Sequence, residues 1–306
     1  MKNMGHAISL AAILAALLAA APLRAEEVQI EHDGLVLNGN LELAEGKAIS
    51  DGVILMTHAL LQHNRMETIR SFQALFREQG YSSLAITFGT GVSDRRGPYD
   101  CSVPHDHSPQ DNVAEIGRWV AWLKERGATE IVLAAHSNSA NELGYYARNN
   151  DEQAIRKLVY FAPGTGRFQG VALKDETYFA QYRVKADDVR ARAQALAEAG
   201  KGDEMMDNVD FLFCAKARAT ANTFLGYYRA DSIVRPPVPG FANQQVKPLL
   251  VVAGGNDDVA PDLLEKIQPH VDGEKLRLVV VEGCGHFFRE LCGDDAIEAA
   301  VRFIEE

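Results

Sequence analysis

Beyond its first two dozen residues the chain alternates short apolar, β-branched runs with longer stretches of helical period. Residues 28–43 largely alternate apolar and polar side chains, with Gly34 or Gly39 near the turn, and predict an opening antiparallel hairpin. Strands are predicted at 53–56, 83–88, 131–135, 157–161, 249–253 and 276–281. Helical periodicity separates them at 66–79, 112–126, 141–148, 261–270 and 294–304. Strand and helix in alternation predict an α/β fold, a mostly parallel, doubly wound sheet with its ligand site at the strands' carboxyl ends. Between about 164 and 243 the alternation stops. Residues 186–199 are strongly helical there, and aromatic side chains such as Tyr178, Phe211, Phe213 and Tyr228 are frequent.

The N-terminus departs from this pattern. Lys2 stands in a short basic head, residues 7–21 are an apolar run of alanine, leucine and isoleucine, and Ala25 precedes Glu26-Glu27. That is the layout of a cleavable signal peptide over 1–25, which leaves 26–306 as the folded domain and predicts a periplasmic or secreted protein. The run is shorter than the roughly 20 residues a membrane span needs, so no stable insertion is expected once the leader is removed. An uncleaved anchor is the alternative.

Composition narrows the function. With 306 residues, 47% of them apolar, the chain can bury one large core. A formal charge of −11 argues against nucleic acid as a partner, because that needs a basic surface. No Gly-x-Gly-x-x-Gly or P-loop occurs, so no nucleotide cofactor is implied. In an oxidising compartment the four cysteines suggest disulfides, and three pairings are possible. Cys284 with Cys292 would tie a histidine-bearing loop to the last helix. Cys101 with Cys214 would pin the loop after Phe88 to the irregular segment. Four free thiols are the alternative, and the sequence is silent on oligomeric state.

Candidate chemistry follows three of the predicted strands. The run Ile131-Val132-Leu133-Ala134-Ala135 leads into His136-Ser137-Asn138-Ser139 and then a helical pattern. This is the layout of a nucleophile elbow, in which a serine sits on a sharp strand-to-helix turn and the positions two either side must be small. Ala135 and Ser139 occupy those positions, where glycine is usual. A second strand runs into Gly254-Gly255-Asn256-Asp257-Asp258, and a third ends in Cys284-Gly285-His286-Phe287. A serine hydroxyl needs an imidazole to take its proton, and the imidazole needs a carboxylate to hold its tautomer. Ser137, His286 and Asp257 (or Asp258) supply all three.

Their order, serine then acid then histidine, each after a strand, resembles the α/β-hydrolase family over nearly everything from residue 28 onward. The chain is also similar to a bacterial subgroup of undefined substrate, through residues 95–107, 115–123, 200–203 and 209–214. That subgroup carries His-Ser-Arg-Gly-Gly-Asn at the elbow, where this chain has His136-Ser137-Asn138-Ser139-Ala140-Asn141. The resemblance implies an α/β-hydrolase fold with an N-terminal antiparallel hairpin and a helical cap insertion at about 164–243. It favours Asp257 as the acid, four residues before Pro261, and leaves Asp258 as an exposed turn residue. It further implies an oxyanion hole from the backbone amides of Asn138 and Leu60, the latter in Thr57-His58-Ala59-Leu60, where the family commonly has His-Gly. His58, Ala59, His136 and Phe287 flank these residues and are candidate substrate-binding positions, although for His136 a packing role is favoured over chemistry.

The expected activity is that of an exported serine hydrolase, with a small carboxylic ester as substrate and partner and no cofactor. Amide, peptide or lactone cleavage would use the same residues. A fold-retaining binding protein without turnover is the alternative of another class, suggested by Ala59, Ala135 and Ser139. His105-Asp106-His107, with His58 and His63, forms a His-x-His pattern able to hold a metal. Loop hydrogen bonding explains it better, and no metal is expected.

Overall fold

The computed structural model describes residues 25–165, 175–235 and 246–306. The expected leader up to residue 24, and residues 166–174 and 236–245 of the expected insertion, lie outside the described residues. Ten strands are described. β1 (Glu26–His32), β2 (Leu35–Glu42), β3 (Val53–Thr57), β4 (Ser83–Thr87), β5 (Ile131–His136), β6 (Ile155–Phe161), β9 (Leu249–Gly254) and β10 (Leu276–Val281) form one sheet in the order β1-β2-β4-β3-β5-β6-β9-β10. Only the β1–β2 and β2–β4 pairings are antiparallel. The opening hairpin turns at Asp33-Gly34, both at positive φ, as a two-residue turn matched to strand twist requires. Gly39 instead lies inside β2, where a Cβ would meet Leu84 at 2.9 Å and Trp119 at 3.0 Å.

Burial explains the composition of the strands. β3 and β4 are buried at every position, so both read as continuous apolar runs rather than alternating ones. Edge strand β1 buries Val28 and Ile30 and exposes Gln29 between them. Helices α1 (Glu67–Glu78), α2 (Pro109–Glu125), α3 (Ala140–Asn149), α7 (Leu263–Ile267) and α8 (Leu291–Glu305) cover the two faces. Trp119, Leu133 and Leu143 pack in the core on one face; Phe72, Phe161 and Ile297 pack on the other. Of the helix bounds that differ from the periodicity, two have clear local reasons. α2 begins three residues early because Ser108 caps it, accepting from the Asp111 amide while Asp111 accepts from the Ser108 amide, with Pro109 at the first helical position. α7 stops at Ile267, and a short 3-10 turn containing Pro269, which lacks an N–H, replaces the rest of the predicted helix.

Between β6 and β9 the chain leaves the sheet. Here lie α4 (Asp175–Tyr182), α5 (Ala186–Glu198), the antiparallel hairpin β7 (Met205–Phe211) and β8 (Cys214–Thr220), and α6 (Ala221–Tyr228). The segment is therefore helical with an added hairpin, whose signal is the alternation of Val209 and Phe211 with exposed or half-buried polar neighbours. Its own core gathers Tyr178, Phe211, Phe224, Tyr227 and Tyr228, all buried, with Leu60, Leu61 and Tyr99 of the main body. His105 pairs with β8: its N–H donates to the Arg218 carbonyl (2.8 Å) and its carbonyl accepts from Thr220 (3.1 Å). Both favoured disulfides are present, Cys101–Cys214 across this junction and Cys284–Cys292 around the histidine loop.

Candidate active site

The turn after β5 is strained in the way an elbow requires. Ser137 has φ +63, a conformation uncommon for any residue but glycine and costly unless its surroundings enforce it. A short 3-10 turn, Ser137–Ser139, then leads into α3. Ala135 is buried in β5, where it pairs with Thr57 of β3. The Ser139 hydroxyl lies 2.8 Å from that of Thr57 and also reaches the His136 carbonyl at 3.1 Å. A serine in the small position is thus accommodated, with its polar atom satisfied inside the turn.

The loops after β9 and β10 bring the other two groups to this serine. His286 Nε2 lies 2.9 Å from Ser137 Oγ, and His286 Nδ1 lies 2.8 Å from Asp257 Oδ2. The second Asp257 oxygen accepts from the amides of Val259 and Ala260, each at 2.8 Å. Burial alone would raise the Asp257 pKa. The hydrogen bond and charge of His286, with the two amides, outweigh it and hold the carboxyl below its ordinary value. An ionised Asp257 fixes the Nδ1–H tautomer, so Nε2 is free to accept the Ser137 proton. Asp258 is exposed and takes no part. Gly254 lets the two loops meet, because a Cβ there would lie 2.4 Å from the Cys284 carbonyl oxygen.

A cavity of about 410 Å³ opens beside Ser137. Its wall includes Ala59, Leu60, Asn138 and Phe287 among the residues the sequence singled out. His58 and His136 do not reach it. His58 is buried, donating from Nδ1 to the Ala59 carbonyl (2.7 Å) and accepting at Nε2 from the Phe88 amide (3.1 Å). Burial, with the nearby Arg95 charge, lowers its pKa well below the usual histidine value, so it is a neutral brace for the β3 loop. His136 stands behind the catalytic-type histidine, its Nε2 3.0 Å from the His286 carbonyl. Burial, then the proximity of His286, takes its pKa down to about 3. The two histidines expected among the substrate-binding positions thus both stand off the cavity wall: both His58 ring nitrogens are bonded within the protein, whereas His136 uses Nε2 and leaves Nδ1 buried without a partner among the described residues.

Several wall residues were missed. Gln62, His63, Arg65, Met66 and Thr68 follow β3, Val259 and Ala260 follow β9, and Arg289 follows β10. Their common signal is position, just beyond strands on the carboxyl edge. Phe213 reaches the wall from the β7–β8 turn and is one of the insertion's aromatics, some of which the sequence leads us to expect around a substrate pocket. His105 and His107 are buried among aromatic rings, with His105 stacked on Tyr99 at 4.4 Å. His105 Nδ1 is 3.1 Å from His107 Nε2, and His107 Nδ1 is 3.1 Å from the Tyr227 hydroxyl. Among the described residues no group of three or more His, Cys, Asp or Glu side chains is placed to hold a metal.

Known structures share this architecture. Est1E from Butyrivibrio proteoclasticus, in a structure with bound ferulic acid, superposes with a TM-score of 0.63 at 19% identity, over 91% of this chain and 100% of that one. An α/β serine hydrolase homologue from Coxiella burnetii gives 0.55 at 15% identity, over 91% and 97%. A monoacylglycerol lipase from Paleococcus ferrophilus gives 0.56 at 15% identity, over 88% and 98%. At these identities the likeness speaks for the fold alone. No curated protein sequence matches the chain significantly. The sequence profile described as the alpha/beta hydrolase family matches residues 54–301, a span from β3 into α8 that includes the elbow, the acid loop and the histidine loop. The chain belongs to the alpha/beta hydrolase family.

Proposed function

We propose that the protein is an exported serine hydrolase that cleaves carboxylic esters. The observation that carries this reading is the continuous hydrogen-bonded chain Ser137–His286–Asp257 at the edge of a cavity. In the proposed reaction Ser137 Oγ attacks the ester carbonyl carbon while its proton passes to His286 Nε2. The backbone N–H groups of Asn138 and Leu60 hold the negative oxygen that forms, and both residues border the cavity. The tetrahedral centre collapses, the C–O bond to the alcohol breaks, and His286 returns the proton to the departing alcohol. A water molecule then gives a proton to His286 and attacks the acyl-serine; the C–Oγ bond breaks, His286 returns that proton to Ser137 Oγ, and the acid is released. Asp257 stays ionised throughout.

Neighbours of the same fold lend the ester reading weight: one is a lipase by its name and another binds ferulic acid. The satisfied Ser139 hydroxyl argues against the elbow's departures from glycine being a sign of decay. For export, the support is the sequence pattern of 1–25 together with two disulfides, which persist in oxidising compartments. Residues 26–306 then form the mature domain, with 164–243 as its cap. Hydrolysis of p-nitrophenyl acetate and butyrate by the oxidised protein tests the reading. Turnover that disappears in Ser137→Ala is expected. Equal release by protein and variant, or none by either, would overturn it.

A further inference from the structure

One side chain of the insertion's described residues 175–235 is built into the cavity wall. Of the described residues 175–235, Phe213 alone lines the cavity that holds Ser137. It sits in the two-residue turn between β7 and β8, and its neighbours Phe211, Leu212 and Cys214 are all buried. Phe213 is 39% exposed. A large apolar side chain left half in water on a cavity wall gains free energy when an apolar ligand covers it.

The turn is held from several sides. The Leu212 amide donates to the Tyr228 hydroxyl (3.0 Å), and the Tyr182 hydroxyl donates to the Leu212 carbonyl. The Tyr178 hydroxyl donates to the Asp210 carbonyl (2.7 Å). Cys214, the next residue, is bonded to Cys101. Leu212 itself is at φ +53, which a leucine adopts only where its surroundings enforce it. Three tyrosine hydroxyls and a disulfide thus fix a strained turn whose one outward side chain faces the cavity. Such anchoring exceeds what a solvent-facing turn needs. The tyrosines also mean the Phe213 ring need not be ordered when ligand binds, which favours affinity.

We infer that Phe213 is a specificity-determining residue that selects esters bearing an apolar group larger than acetyl next to the scissile bond, and that the Cys101–Cys214 disulfide keeps it in place. This rests on the hydrolase reading. Leu60, Met66, Val259 and Phe287 supply the rest of the apolar wall against which such a group packs.

The test compares the oxidised protein with Phe213→Ala and Phe213→Leu in two substrate arms. One arm varies the acyl group, p-nitrophenyl acetate against hexanoate. The other varies the alcohol, methyl acetate against hexyl acetate. Phe213→Ala should lower the large-to-small ratio of kcat/KM about tenfold in one arm, chiefly through KM, and leucine should restore most of it. The arm that responds names the side of the ester Phe213 covers. A ratio that moves in neither arm overturns the inference while leaving the hydrolase reading intact.

A second readout does not depend on turnover. In Phe213→Trp the new indole should shift its emission to the blue when N-hexylhexanamide, an unreactive analogue of an apolar ester, is added. Trp119 and Trp122 lie buried in α2 and report no change there. An unshifted spectrum at saturating amide overturns the inference even in a protein that proves to be inactive.

Discussion

The loops at the carboxyl edge of the sheet and the segment inserted between β6 and β9 meet at one cavity, yet they are held by different means. Ser137, Asp257 and His286 hang from neighbouring parts of one parallel sheet, so the sheet fixes the spacing and each loop needs only a local device. Those devices are the Ser139–Thr57 hydroxyl pair, the amides on Asp257, Gly254 and the Cys284–Cys292 bond. The insertion has no such frame. Its two-stranded sheet is tied to the body by one bridge at His105, one disulfide and a cluster of tyrosines and phenylalanines. Under the proposed function, chemistry falls to the scaffold and selection to the insertion. The insertion can then change without disturbing the reacting groups.

The largest expected effect tests the scaffold half. Asp257→Asn should lower kcat by about 10⁴, because the amide can stabilise the wrong tautomer of His286. Asp258→Asn, one residue on, should leave it within about twofold. Equal losses from the two would break the assignment of the acid.

The disulfides sharpen the comparison. Cys101–Cys214 spans 113 residues and Cys284–Cys292 spans 8. By loop entropy, replacing the first pair by serine should cost about 5 kcal/mol of stability, and replacing the second about 2–3 kcal/mol. Chemical denaturation measures both. Effects on activity should separate the other way. Losing Cys284–Cys292 should depress turnover of every ester, through His286, whereas losing Cys101–Cys214 should alter which esters are preferred.

Smaller effects are expected beneath the elbow. Thr57→Val removes one half of the hydroxyl pair and should cost about 1 kcal/mol, read from the thermal midpoint. The loop proposed to supply the Leu60 oxyanion amide follows Thr57 directly, so kcat should fall by less than tenfold with KM little changed.

The smallest effect concerns pH. Glu115 and Glu142 are buried, and burial pushes their pKa values up to about 8 and about 7, despite the Gly89 amide on Glu115 and Asn112 on Glu142. The folded chain therefore keeps protons that the unfolded chain has released above 4.5, so these acids lose stability as pH rises toward 8. Buried His58, His107 and His136 act in the opposite sense, but only below 6.5. Between pH 6.5 and 8 the acids act alone, and the thermal midpoint should drop by a few degrees. In Glu115→Gln the drop should shrink.

The scaffold was legible in the sequence because buried strands leave continuous apolar runs, and the residues just after them fall on one edge. That reasoning reached Ser137, Asp257 and His286. It could not separate residues that line the cavity from those that stand behind it. His58 and His136 stand at the ends of the same strands that Leu60 and Asn138 follow, but neither ring lines the cavity. The distinction lies in side-chain direction and hydrogen bonding, not in spacing. The insertion was legible as a break in alternation, one strong helix and a run of aromatics, but not as a hairpin. Its hairpin is short and amphipathic, and its outward phenylalanine differs from the buried ones around it by a turn conformation that no periodicity records.

The most direct test of the central claim is labelling of the oxidised protein with a fluorophosphonate, followed by peptide mapping. The account predicts one adduct, on Ser137, formed quickly in the wild type and absent from Ser137→Ala. A folded, fully oxidised protein that takes no label, or takes it elsewhere, would contradict the assignment of Ser137 as an activated nucleophile.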